Sequence, residues 1–245
     1  MNLPAWMRGN VRFWPSVISH ISLKGKYLMK KNVAVLVGML VAVAGLSAQA
    51  ADLRVKGTIA PSSCSFTITN SVIDYGAINP STLSPTNYTK LAAKTTPYTI
   101  RCASSVKTRV GIKAVDNRAT SKIPNLMTSQ FGGSYTDTYN YGLGTTERAQ
   151  KIGGYVVHLR NSVADGRAVN VLTSNNDGVS WVQGGQALGQ GANIATWHAG
   201  TNTPILLNTL AGNLEIQAVI NKTSELNMTS QIALDGQATL ELRYL

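Results

Sequence analysis

Ala238-Thr239-Leu240-Glu241-Leu242-Arg243-Tyr244-Leu245 alternates small or apolar residues with polar ones up to the last position of the sequence. A period of two places Ala238, Leu240, Leu242 and Tyr244 on one side of a β-strand and Thr239, Glu241 and Arg243 on the other. No residue follows that could turn back beside this strand. Its outer row of backbone N–H and C=O groups is therefore expected to be a free edge, a ready template for another strand.

The same alternation, bounded by Gly, Pro and Asn, recurs at residues 53–59, 64–68, 98–102, 106–115, 155–159 and 214–220. In 106–115 the inward set is expected to be Val106, Thr108, Val110, Ile112 and Ala114. Short strands separated by polar turns, with no long 3.6-residue pattern, predict an all-β fold, an immunoglobulin-like antiparallel β-sandwich. A brief helix is expected over 83–93. Residues 116–150 and 174–203, the second containing a Gly-rich run from Gly184 to Gly191, read as long loop insertions or excursion hairpins.

The chain has 245 residues, 44% apolar and 13% charged, with 22 Lys and Arg against 11 Asp and Glu. That balance excludes a disordered or collagenous chain. Six of the basic residues and none of the acidic ones lie in residues 1–50, so the remainder carries 16 basic against 11 acidic residues, a net charge of +5. Those charges stand singly and form no stripe interleaved with aromatics, which excludes a nucleic-acid surface.

Met29-Lys30-Lys31, the apolar run 33–48 and Ala48-Gln49-Ala50 form a secretory signal pattern over 29–50, with cleavage expected after Ala50. The run is too short to span a bilayer. Residues 1–28 precede that pattern and read as a start codon assigned too early or a long leading region. An exported chain with two cysteines, Cys64 and Cys102, is expected to join them in one disulfide, closing a 38-residue separation.

Enzymatic motifs fail one by one. The Gly-rich segments follow no strand-to-helix pattern and contain no Gly-Lys-Ser/Thr, so no nucleotide or other cofactor is expected. A Ser-His-Asp set assembled from His158, Asp165 and a serine has no nucleophile elbow, and no catalytic residue is assigned. His158, between Val157 and Leu159, reads as a solvated surface histidine, and His198 beside Trp197 as a strand-end pair. Neither has ligand spacing for zinc, so no metal site is expected. Acidic residues fall at turns: Asp165-Gly166, Asp177-Gly178 and Asp235-Gly236.

Residues 53–59 put Leu53, Val55, Gly57 and Ile59 on one side and Arg54, Lys56 and Thr58 on the other. This is a strand beginning almost at the expected cleavage site, with an apolar face to bury. Gly57 followed by Cys64, Cys102 38 positions later, and a terminal alternating strand with penultimate Tyr244 together resemble a pilin of the chaperone–usher pathway. The stretch Pro97-Tyr98-Thr99-Ile100-Arg101-Cys102 narrows the likeness to the fimbria-related family catalogued as domain of unknown function 1120. The likeness is strongest over 51–115 and 212–245.

That resemblance implies an incomplete, pilin-type sandwich over 63–245 that lacks its last strand, preceded by a donor-strand extension at 51–62. Leu53, Val55 and Ile59 would fill pockets on a neighbouring subunit, with Gly57 in the tightest one. Ala238, Leu240, Leu242 and Tyr244 would form the edge of the acceptor groove. A periplasmic chaperone would first lend a strand and anchor the carboxylate of Leu245, and a sibling subunit would replace it at the outer-membrane usher. The expected function is a non-enzymatic fimbrial subunit, exported to the cell surface and polymerised by donor-strand exchange for adhesion. The alternatives are a soluble periplasmic accessory protein that fills its own groove, and an adhesin binding a surface glycan through Trp181, Trp197 and the tyrosines of 135–141.

Overall fold

The computed structural model describes residues 63–103 and 106–245. The signal pattern of 29–50, the upstream residues 1–28 and the donor-strand residues Leu53, Val55, Gly57 and Ile59 lie outside the described residues. In chain order the strands are β1 (Cys64–Ile68), β2 (Thr89–Lys90), β3 (Lys94–Cys102) and β4 (Val110–Asp116). After a short helix α1 (Leu126–Phe131) come β5 (Tyr141–Gly142), β6 (Gly153–Ala164), β7 (Arg167–Ala168), β8 (Asn170–Ser174), β9 (Val182–Gln183), β10 (Ile194–His198), β11 (Thr209–Ile220) and β12 (Ala238–Tyr244).

Every pairing between named strands is antiparallel, and they build two sheets in a sandwich. One has the order β1-β3-β11-β6-β5, with β2 joined to β11 and β7 to β6; the other has the order β12-β4-β10-β8-β9. The all-β sandwich read from the alternation is therefore the observed fold. β12 spans the predicted residues, and its register sets Leu242 opposite Ile112 and Tyr244 opposite Val110. The predicted Asp165-Gly166 turn joins β6 to β7, with positive φ of 47° and 79° at its two residues.

The centre of the sandwich is built around one polar contact set in an apolar layer. Trp197 of β10 is fully buried, stacks on Tyr98 of β3 at 6.4 Å, and donates its indole N–H to Ser162 Oγ of β6 at 3.0 Å. The Tyr98 hydroxyl meets the same Ser162 oxygen at 3.0 Å. Burial pushes the Tyr98 phenol up to about 12. One serine thus satisfies the polar atoms of two large aromatics from opposite sheets, which removes the cost of burying them unpaired. Gly212 at the β11 bulge makes room for the ring, since a Cβ there would fall 2.8 Å from Tyr98.

Several expectations are corrected. No helix forms over 83–93. The hydroxyl of Ser84 accepts from the N–H groups of Thr86 and Asn87, the Ser84 N–H donates to Thr89 Oγ1, and these local bonds replace a helical ladder. β4 begins at Val110, while Val106 is 68% exposed and Thr108 makes an isolated bridge to Leu207. The segment 174–203 contains β10, an internal strand of the second sheet and not a loop. All five residues of β10 are buried, Thr196 and His198 included, so its polar positions mark no solvent face.

His158 is the sharpest correction, because it is 4% exposed and not solvated. Val156 and His158 do face away from the sandwich interior, but the insertion at 116–150 folds over that face. Ile123, Leu126, Met127, Val156, Ala187 and Val219 form a second small apolar cluster there, flanked by Phe131, Tyr135 and Tyr139. His158 Nε2 lies 2.9 Å from the Tyr135 hydroxyl, and its Nδ1 faces Glu215 at 3.6 Å. The carboxylate favours the proton on Nδ1, so Nε2 accepts from Tyr135. Burial first, then Arg160, holds the imidazole pKa down to about 4, against a partial opposing pull from Glu215.

Two outcomes follow from this architecture. The Cys64–Cys102 disulfide is present, joining directly opposed residues of β1 and β3 across a separation of 38 residues. Replacing both cysteines with alanine is expected to cost about 4 kcal/mol of unfolding free energy by loop entropy, read as a lower urea midpoint; an unchanged midpoint would contradict this. The folded state binds a proton at His158 less readily than the unfolded chain does. Its contribution is thus complete above pH about 6.5 and is lost as pH falls toward about 4. The loss approaches about 3 kcal/mol at the lower end, and His158→Gln is expected to flatten the stability–pH curve across that window. A variant curve as steep as the wild type would contradict the assignment.

Candidate functional site: an open flank between two edge strands

The two sheets each end in a strand on the same flank of the sandwich. β12 pairs only with β4, and β1 only with β3, among the described residues. Internal strands bury their inward residues completely, as Ile100 and Ile112 do. The inward residues of the edge strands stay half-covered: Cys64, Phe66 and Ile68 on β1, and Ala238, Leu240 and Leu242 on β12. Between them lies a groove of about 360 Å³, with Ile68 and Ile73 on one lip, Leu214 and Ile216 at its base, and Leu234 and Leu240 on the other lip. Among the described residues its lining includes no Asp, Glu, Lys, Arg or His.

Each end of the groove is fixed differently. At one end the Tyr244 hydroxyl accepts the Cys64 N–H at 2.7 Å, tying the last residue of β12 to the first of β1. Toward the other end, Tyr75 plugs a gap in the ladder of β11. Its hydroxyl donates to the Ile216 carbonyl at 3.0 Å and accepts from the Ala218 N–H at 3.1 Å. This pins the 71–75 segment, and Ile73 with it, beside the groove. Lys94 lies over the Tyr75 ring at 5.3 Å and donates to the Asp74 carbonyl at 2.6 Å, holding the same segment from outside.

The opposite flank is sealed by the chain itself. The Leu159 N–H donates to the Gln186 carbonyl and the Leu188 N–H to the Val157 carbonyl, both at 2.8 Å. Gln190 then bridges to Ala114 in the other sheet. The Gly-rich run at 184–191 is thus a staple across β6, and the Tyr141 hydroxyl locks it by donating to the Leu188 carbonyl at 3.0 Å. Among the described residues the fold closes one side and leaves the other open. An apolar slot beside an unpaired strand is suited to take one more extended segment, whose backbone extends the ladder and whose alternate side chains enter the slot.

Of the residues expected at the groove edge, Ala238 and Leu240 line it, Leu242 is half-covered further along β12, and Tyr244 borders a different cleft, while Cys64 and Cys102 join β1 to β3. Tyr244 is 55% exposed and meets β1 through its hydroxyl. Leu245 is exposed, and its N–H donates to the Arg109 carbonyl at 3.1 Å. Trp197 belongs to the core and is not available to a glycan, and Tyr141 is likewise buried. Asp165 accepts from the N–H groups of Asn208 and Thr209 and pairs with Lys107 at 2.7 Å; these contacts hold its pKa at about 2 and make it a turn residue. Ile73, Tyr75 and Leu234 were not assigned from sequence. They sit in stretches without regular secondary structure, where period-two reading has no purchase.

Among curated proteins, the chain is similar to Protein GltF of Escherichia coli (strain K12), with 25% identity over 241 residues, covering 83% of this chain and 93% of GltF. Residues 53–156, which include both cysteines and the 97–102 stretch, match the model of the family described as Protein of unknown function (DUF1120), and there the family resemblance read from the sequence holds.

Proposed function

We propose that this chain is an exported, non-enzymatic structural subunit whose β1–β12 groove is completed by an extended segment of a sibling chain, building a fimbrial surface fibre for attachment. The observation that carries this reading is the flank between two edge strands, which among the described residues is open and lined without charge. The secretory pattern, the disulfide, the family match and the likeness to Protein GltF support an envelope, periplasmic setting for it.

In this reading Leu53, Val55 and Ile59 of one subunit enter the groove of the next, with Gly57 at its narrowest point. A periplasmic chaperone supplies the strand first, anchoring Leu245, and the outer-membrane usher hosts the exchange. Burying three alternate aliphatic side chains at about 1.5–3 kcal/mol each gives on the order of 5–9 kcal/mol. That rivals the net stability of a whole domain, about 5–15 kcal/mol. A subunit without its donor is consequently marginal and adhesive.

The test compares the exported chain with and without residues 51–60, each titrated with a peptide of residues 53–59. The truncated chain is expected to gain several degrees in Tm with peptide, and Leu240→Arg is expected to abolish the gain. A stable truncated monomer indifferent to peptide would contradict the proposal. A full-length chain that stays monomeric while only the truncated one responds would assign the alternative, a soluble protein that fills its own groove.

A further inference from the structure

The second sheet carries a separate cleft on the face turned away from the groove. Val110, Ile112 and Ala114 point into the core, so Arg109, Gly111 and Lys113 lie on the outer side. Arg243 of β12 stands directly opposite Gly111. A Cβ at Gly111 would fall 2.6 Å from Ile194 Cγ2 and 3.5 Å from Leu245 Cδ1, so the glycine leaves the floor low between the cations. Trp181, half-buried, forms one wall, and the cleft encloses about 600 Å³. That is within the range of sites that hold small organic ligands, about 300–1,000 Å³.

Its polar groups are unequal. Arg109 Nε donates to the Pro204 carbonyl at 3.0 Å, which orients the guanidinium and, among the described residues, leaves its two NH₂ groups for a ligand. Lys113 is already neutralised, with Asp177 at 2.5 Å and Glu241 directly opposite it in the ladder. Arg243 makes no ion pair or side-chain hydrogen bond among the described residues. The two arginines therefore set the sign of the cleft, while Asp177, 61% exposed in its side chain, adds an acceptor beside the Trp181 ring.

We propose that this cleft binds a carboxylated pyranose unit of an acidic polysaccharide. The planar guanidinium groups of Arg109 and Arg243 match a carboxylate, which they can hold in bidentate fashion. The Trp181 ring supplies an apolar face for the C–H side of a sugar ring, and Asp177 accepts from ring hydroxyls. A polyphosphate chain fits less well, since it offers no apolar face to Trp181 and no hydroxyl donor to Asp177. Tyr244 and Leu245, at the end of β12, border this cleft as well as the flank of the groove, but Arg109, Lys113, Asp177, Trp181 and Arg243 line the cleft alone, so ligand binding here does not require a donor strand in the groove.

The experiment is calorimetric titration of the full chain with trimers of galacturonate, glucuronate and mannuronate, with their methyl esters and with sodium sulfate. At least one acidic trimer is expected to bind saturably, and its methyl ester to bind at least about tenfold more weakly, the scale of one lost charge-assisted contact. Arg243→Gln is expected to weaken binding by a similar factor and Trp181→Ala to abolish it, while Arg167→Gln, on β7 and outside the cleft, leaves it unchanged and all variants keep the wild-type melting curve. Absence of binding by every acidic trimer would overturn the proposal. So would equal affinity for acid and ester, displacement by sulfate at equal concentration, or affinities unmoved in the Arg243 and Trp181 variants.

Discussion

A β-strand at the rim of a sheet holds a row of backbone donors and acceptors that its own sheet cannot satisfy, and this molecule manages its two flanks in opposite ways. Along β6 the Gly-rich run folds in, bonds to Val157 and Leu159, and crosses to the second sheet through Gln190. Along β12 no described segment does the same; the only tie to β1 is the Tyr244 hydroxyl on the Cys64 N–H. The half-covered side chains of both edge strands, the apolar groove and the function proposed for it all follow from that place in the ladder, which no described residue fills.

A sandwich with an open flank needs its sheets held together elsewhere. Trp197, Tyr98 and Ser162 supply a central bolt that spans both layers with every side-chain polar atom satisfied. The disulfide clamps β1 onto β3, so the lip of the groove is covalently fixed where β1 has no second neighbour. On the far side of the seven-stranded sheet, the helix α1 and the tyrosines near it give β6 a second buried face. Stability is thus concentrated away from the flank that stays open, which leaves the groove free to be shaped by what enters it.

How much of this was legible in the sequence depended on how each strand is covered. β1 and β12 are half-buried, and their alternation read true except at the end of β12: Leu240 and Leu242 lie inward and Glu241 and Arg243 outward, while Tyr244 is exposed. β10 is buried on both faces and only five residues long, and between the Gly-rich run and the polar residues 199–203 its short alternation was hidden inside an apparent loop. His158 has the alternation of an outward residue and does point outward, yet the 116–150 insertion covers it through Tyr135, a long-range contact that no local pattern encodes. The groove was legible by one lip, β12, while Ile73, Tyr75 and Leu234 of its lining sit in irregular segments placed by tertiary contacts alone.

The claim that β12 is a vacant edge is tested most directly by residue-resolved amide hydrogen exchange on the exported chain lacking residues 51–62. The account predicts that β12 amides bonded to β4 are protected while the alternate ones exchange at nearly the rate of an open chain, and that these alternate amides become protected once a strand occupies the groove. Uniform protection of every β12 amide in the unoccupied monomer would show that the edge is already paired and would contradict the account.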